Sequence, residues 1–213
     1  MSRALIFINS PLQHPGAARA CVQPDDVILA ADGGARIALS LGLIPKAILG
    51  DLDSLTEAEV NVFEEMGVHI LRYPPAKDET DLELALAHAF QAQYNPIIVF
   101  GGYGGRVDQA LANLALLSAP DAIQAGARFD DGVTEAYFIH DSGLIHGQAG
   151  DIVSLIPWGA PAEGVLTDGL SYPLNRETLH PHRARGISNQ MLGQTATIRL
   201  KRGLLLCIHQ RKV

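Results

Sequence analysis

The sequence is poor in the residues that would suit it to an oxidising compartment, a bilayer or a nucleic acid. Its only cysteines, Cys21 and Cys207, are far apart in the chain. That excludes a disulfide-stapled scaffold and leaves two thiols expected to be reduced, as in the cytoplasm. Aromatic residues are scarce, and the single tryptophan, Trp158 in "IPWGAP", is expected to pack in the core or a turn. The longest apolar runs, such as Ile97–Phe100 and Leu204–Ile208, are strand-length, so no membrane span is expected. The opening "MSRALIFINSPLQH" has too short an apolar part for a secretory leader and reads as a first strand. Lysine and arginine number 16 against 23 acidic residues, for a net charge of −7. With no basic cluster, nucleic acid is not an expected partner, and an anionic substrate needs a cation or local basic groups to approach. The basic residues of "KRGLLLCIHQRK" flank a terminal hairpin.

A hydrophobic content of 47% over 213 residues is enough for one large or two small globular domains. Two patterns divide the chain. Up to about residue 118, the apolar runs "ALIFIN", "DVILAAD", "KAILGD", "VHILRYP" and "PIIVFGG" suit parallel strands covered on both faces. Helical stretches lie between them. In one, Leu82, Ala85, Leu86, Ala89 and Phe90 share a helix face, with Thr80 or Asp81 as its N-cap. Gly42 and Gly67 fall where two helices should stop. Beyond about residue 128, short β runs alternate with Gly, Pro, Asp and Asn. The expectation is an α/β N-terminal domain with a mostly parallel, Rossmann-like sheet over residues 1–120. An all-β sandwich over residues 121–213 follows, with the junction near "SAPDAIQAGARFDDG".

The polar residues gather where ligands bind in open α/β sheets, beyond the carboxyl ends of the strands. Asp32 and Gly33 follow the second strand, and Asp51 and Asp53 follow the third. Lys77, Asp78, Thr80 and Asp81 follow the fourth, and "GGYGGRVD", with Arg106 and Asp108, follows the fifth. Two carboxylates about 4 Å apart repel by about 4 kcal/mol at an effective dielectric of about 20, so "GDLDS" calls for a compensating charge. Asp51, Asp53 and Asp81 are hard oxygen donors suited to Mg²⁺, which shares its shell with phosphates. Alternation along an extended chain lets residues i and i+2 face one ion. Arg106 suits bidentate phosphate binding, Lys77 adds a point charge, and the glycines permit close backbone approach. "GGYGGRVD" is neither a P-loop nor a G-x-G-x-x-G fingerprint, because Val107 stands at the third glycine's place. The H-P-H of His180 and His182 has no partners at zinc spacing, and Ser54, with no base nearby, is expected to cap the following helix.

The motifs "AADGGAR", "ILGDLDS", "KDETDLELAL" and "GGYGGRVDQALANL", in this order, resemble the thiamin pyrophosphokinase (thiamin diphosphokinase) family. The likeness is close over residues 30–117 and looser through "TDGLSYPL" and "GISNQ". It implies transfer of the pyrophosphoryl group of ATP to thiamin, giving thiamin diphosphate and AMP. It also implies a homodimer with a nucleotide domain and a substrate and dimerisation domain. By this resemblance Asp51, Asp53 and Asp81 hold Mg²⁺. Arg106, Asp108 and the backbone of Gly102, Gly104 and Gly105 engage ATP. Asp32, Gly33, Lys77, Asp78 and Thr80 map onto the family's site motifs, and Tyr172, Ser188 and Asn189 contact thiamin. Asp78 or Asp108 is the expected proton acceptor. The chain departs from the family at Gln109, where many bacterial members carry His, and at Tyr172, where some carry Trp. Two alternatives stay open: a pyrophosphokinase acting on another alcohol, such as a hydroxymethylpterin, and a non-catalytic regulator that binds ATP and Mg²⁺. A metal-dependent phosphohydrolase lacks a visible nucleophile or water-activating dyad.

Overall fold

The computed structural model describes residues 2–103 and 106–212 and divides the chain into two compact units, residues 1–132 and 133–213. The first unit is built on β1 (Ala4–Phe7), β2 (Val27–Ala31), β3 (Ala47–Gly50), β4 (His69–Arg72), β5 (Ile97–Phe100) and β6 (Arg128–Asp130). These pair in parallel in the order β6-β5-β1-β2-β3-β4. Every residue of β1, β3 and β5 is buried, as expected of strands covered on both faces. The Phe7 and Phe100 rings stack at 4.8 Å on adjacent strands.

The helices are α1 (Pro15–Ala20), α2 (Gly34–Ser40), α3 (Glu57–Glu65), α4 (Asp81–Gln91), α5 (Val107–Leu117) and α6 (Pro120–Gln124). Thr56 caps α3 in a capping box with Glu59, so Ser54 is not the cap, and Thr80 caps α4. Gly42 and Gly67 follow α2 and α3 with φ of 71° and 81°, the left-handed stop read from the sequence. The division between units falls after Gly132 rather than at residue 120. The stretch expected to hold the junction forms α6 and β6 before the division at its end, and β6 extends the parallel sheet beside β5.

The second unit has no helix among its described residues. Its strands are β7 (Thr134–Ile139), β8 (Ser142–His146), β9 (Ile152–Pro157), β10 (Ala162–Asp168), β11 (Asn175–Leu179), β12 (Asn189–Gln190), β13 (Thr195–Arg199) and β14 (Leu205–Gln210). Antiparallel pairing gives the orders β7-β14-β9-β12 and β8-β13-β10-β11. Alternating residues of both sheets form one core, including Val153, Leu155, Val165, Ile198 and Leu205. Cys207 lies in it, and burial pushes its thiol up to about 12. Trp158 packs edge-on against Phe138 at 5.4 Å.

Candidate active site

Strand order in the first unit reverses at β1, whose neighbours are β2 and β5, so the carboxyl ends of these strands form the crevice where a ligand is expected. Asp32 leaves β2 with φ of 46° and donates its N–H to the Leu49 carbonyl at 2.8 Å, which fixes it against the end of β3. The next two residues approach the first strand closely. A Cβ at Gly34 would overlap the Phe7 carbonyl, and one at Gly33 would lie 2.7 Å from the Asn9 side chain.

Asp51 and Asp53 come together by a different route from the expected strand alternation. β3 ends at Gly50, and Leu52 between the acids takes φ of 64°, unfavourable for a bulky residue. The Leu52 side chain is buried with Ile48, Leu55, Val60 and Phe63, and that packing holds the turn. The Asp53 N–H then donates to Asp51 Oδ1 at 3.2 Å. Carboxylate oxygens of Asp32, Asp51 and Asp53 all lie within 4.8 Å of one another.

Asp81, expected as the third metal ligand, stands beside this group of three, which includes the buried Asp32. Lys77 links the two sets, with its Nζ 3.4 Å from Asp51 Oδ2 and 3.0 Å from Asp81 Oδ1. Asp81 Oδ1 is met only by the Lys77 ammonium, and Asp32 Oδ1 is a buried acceptor without a hydrogen bond. Burial pushes the Asp81 carboxyl up, Lys77 opposes the shift, and Asp51 and Asp32 add to it. Lys77 is itself raised: burial works against its charge, but Asp81 and Asp51 outweigh it. Buried carboxylate oxygens so short of partners fit a hard divalent cation.

The remaining predicted residues are spread along the rim. Asp78 and Thr80 are exposed, and Thr80 accepts from the Glu83 N–H as the cap of α4. Arg106 and Asp108 form an exposed two-bond pair at 3.1 and 2.5 Å, which raises the Arg106 guanidinium and holds the Asp108 carboxyl below its usual range. Gly102 is a packing glycine, because a Cβ there would overlap the Phe129 ring. Gly104 and Gly105 lie outside the described residues. Asn9, at the exit of β1, escaped the sequence reading. Its Nδ2 donates to Ser54 Oγ at 3.1 Å, and applying the strand-end rule to "ALIFIN" would have found it.

In the second unit Tyr172 is 65% exposed and Ser188 is exposed with φ of 55°. Asn189, expected to touch a ligand, is buried, and its amide is committed to the Tyr172 backbone. Tyr172 N–H donates to Asn189 Oδ1 at 2.9 Å, and Asn189 Nδ2 donates to the Tyr172 carbonyl at 2.7 Å. Its place in the structure is to hold the tyrosine turn.

The sequence profile of the thiamin pyrophosphokinase catalytic domain matches residues 18–127, and that of the thiamin pyrophosphokinase vitamin B1 binding domain matches residues 143–205. Thiamine pyrophosphokinase of Bacillus subtilis (strain 168) is 30% identical over 179 residues, covering 83% of this chain and 84% of the relative. The crystal structure of thiamine pyrophosphokinase from Bacillus subtilis superposes over the full length of both chains with a TM-score of 0.87 at 26% identity. Yeast thiamin pyrophosphokinase shares the fold at a TM-score of 0.79 and 19% identity, over 98% of this chain and 86% of that one. With both domain profiles in place and the Bacillus subtilis relative alike over most of its length, the chain belongs to the thiamin pyrophosphokinase family.

Proposed function

We propose that the protein transfers the pyrophosphoryl group of ATP to the hydroxyethyl oxygen of thiamin, giving thiamin diphosphate and AMP. The observation that carries this reading is the convergence of Asp32, Asp51 and Asp53 beside Lys77, at the carboxyl rim of a parallel sheet in a chain of this family. In the reaction the thiamin oxygen forms a bond to the β-phosphorus. The bond from that phosphorus to the oxygen bridging it to the α-phosphorus breaks, and AMP leaves with the bridging oxygen. Protein groups position the reactants and stabilise charge in such a transfer. Asp32, Asp51 and Asp53, with Asp81 adjoining, would hold Mg²⁺, which when bound neutralises charge on the phosphate oxygens. Lys77 supplies a fixed positive charge beside them, and Arg106, once released from Asp108, offers a bidentate phosphate donor.

The attacking hydroxyl must lose its proton. Asp78, exposed at the rim, or Asp108, once Arg106 has turned to phosphate, is the acceptor. In the second unit the exposed Tyr172 ring offers an aromatic face to the thiazolium cation, with Ser188 as a further contact. We also infer a cytoplasmic homodimer. Neither Cys21 nor Cys207 is in a disulfide, which suits a reducing compartment, and Leu192 and Ile187, 65% and 47% exposed, offer apolar surface to a second copy. No described helix is long and apolar enough to cross a membrane.

The direct test is incubation with ATP, Mg²⁺ and thiamin. Equal amounts of AMP and thiamin diphosphate are expected. ADP as the product, AMP formation independent of thiamin, or turnover of a hydroxymethylpterin in its place would overturn the reading. For the dimer, sedimentation showing only a monomer at micromolar concentration would do the same.

A further inference from the structure

We propose that a buried imidazolium, His209 clamped between Glu135 and Asp151, is the mount on which the Tyr172–Ser188–Asn189 surface is held, making His209, Glu135 and Asp151 positioning residues of the thiamin site. This rests on the assignment of that surface to thiamin.

His209 lies on β14 with no exposed surface. Its Nδ1 is 2.9 Å from Glu135 Oε1 on β7, and its Nε2 is 3.0 Å from Asp151 Oδ2, just before β9. A neutral imidazole has one N–H and satisfies only one of two ionised carboxylates, whereas an imidazolium satisfies both. Asp151 has further partners that keep it ionised: Oδ2 accepts the Gln148 N–H at 2.9 Å, and Oδ1 accepts the Lys212 N–H at 2.8 Å. The space is closed by Gly147, where a Cβ would overlap Asp151 Oδ2 and lie 2.9 Å from both His209 Nε2 and Met191 Sδ.

From this point the structure leads directly to the proposed substrate surface. The Asp151 carbonyl accepts the Met191 N–H at 2.9 Å, and the Gly150 N–H donates to the Met191 carbonyl at 2.8 Å. Two residues earlier in the chain, Asn189 holds Tyr172 by the two bonds already described, and the Ser171 N–H donates to the Gln190 carbonyl at 2.8 Å. The Ser188 N–H is tied to Ser154 Oγ on β9 at 3.0 Å. Loss of the His209–Asp151 bond therefore removes one of the three bonds that hold the Asp151 carboxylate and loosens the support of the segment that sets Tyr172.

The charged groups facing the ring are Glu135 from β7, Asp151 from the turn before β9, and Arg211 just beyond β14, whose Nη2 lies 3.1 Å from Glu135 Oε2. Gly147 and Met191 bring no charge, and the nearby Cys207 thiol is neutral. Burial opposes protonation of His209, but Glu135 and Asp151 outweigh it and Arg211 only partly offsets them, so the ring titrates above its ordinary value of 6.5. Its contribution is complete below that value and disappears as pH rises through the raised one.

The test uses the full-length protein labelled with ¹⁵N. Both ring nitrogens of His209 are expected to be protonated at neutral pH, and a neutral ring there would overturn the proposal whatever the variants do. In Asp151→Asn and, independently, Gly147→Ala, the amides of Tyr172 and Met191 should exchange at least about tenfold faster, the scale of one lost charge-assisted hydrogen bond. KM for thiamin should rise by a similar factor, with KM for ATP unchanged. Unaltered exchange, or equal loss for both substrates, would overturn it. An imidazolium with protected amides in a wild-type protein that ignores thiamin would refute the proposed function and leave the clamp standing.

Discussion

Replacing Gly50 with alanine tests whether the acidic group acts as a unit. Gly50 has φ of 146°, and a Cβ there would lie 3.0 Å from Asp81 Cγ and Oδ1 and 3.2 Å from Asp32 Cβ. The substitution carries two separate costs. The backbone cost of a side chain at this φ is ~1–3 kcal/mol. For a chain of this length that lowers Tm by about 2–12 °C, at about 2–4 °C per kcal/mol. The second cost falls on the site, because contacts this close force the Asp81 carboxylate or the Asp32 backbone to move. A misplacement of about 1 Å can lower turnover by about 10², or ~2.7 kcal/mol of transition-state stabilisation, and the smaller shift forced here costs a part of that.

Gly42→Ala separates the two. Gly42 has φ of 71°, and nothing lies within 4 Å of its added Cβ, so it carries the backbone cost alone. Melting curves with and without Mg²⁺, alongside thiamin-dependent AMP release, read both terms. Both variants should melt earlier, but only Gly50→Ala should lose turnover and the stabilisation by Mg²⁺. Equal kcat/KM in the two variants would refute the reasoning, since the added methyl would then have met nothing that the reaction uses.

Lys77→Met removes the cation shared by Asp51 and Asp81 and should cost about 1–3 kcal/mol without metal. Because the remaining acids then repel more strongly, Mg²⁺ should raise the Tm of the variant more than that of the wild type, and an equal or smaller rise would count against the pairing. Burial pushes the Asp26 carboxyl up, but hydrogen bonds from Arg3 and the Gln23 N–H outweigh it and hold it below its ordinary value of 3.8. Its stabilisation is therefore present above that pH and lost as pH falls through the lowered value, so Asp26→Asn should flatten the acid limb of a Tm–pH profile. Gly102→Ala should destabilise by about 1–3 kcal/mol through overlap with Phe129, and Phe129→Leu in the same chain should recover part of that loss. Additive losses would mean that the glycine is kept for another reason.

The α/β half was legible where apolar runs are long enough to bury both faces, as in "AILG" and "PIIVF", and where Gly42, Gly67 and Thr80 mark helix ends. It was not legible where elements are brief. The five residues of α6 and three of β6 are too short to show a period, so the "SAPDAIQAGARFDDG" stretch read only as a junction. Pattern gave the rim on which the acids stand but not their grouping. That depends on Asp32 turning at φ of 46° and on Leu52 accepting φ of 64° because its side chain is buried. Likewise "GISN" showed which segment matters, while the inward turn of the Asn189 amide depends on the Tyr172 backbone seventeen residues away. Glu135, Asp151 and His209 share no local motif, since the carboxylates lie 74 and 58 residues from the histidine.

The Leu52 turn and the crowded acids have a common consequence. One ammonium, Lys77, faces Asp51 and Asp81, and Asp32 and Asp53 add two further charges within reach. Asp32 Oδ1 is buried without a hydrogen bond, and Asp81 Oδ1 is met only by that ammonium. A bulky residue held at a positive φ adds ~1–3 kcal/mol of strain at the same place. Such a loop stays folded because its leucine is anchored in the core, and packing there offsets repulsion a few ångströms away. Any divalent cation that satisfies those oxygens binds the folded chain and not the unfolded one, so it stabilises by RT ln(1 + [L]/Kd), about 2.7 kcal/mol at a hundredfold excess over Kd. The features that weaken the free protein at this rim are therefore those that a bound cation would relieve.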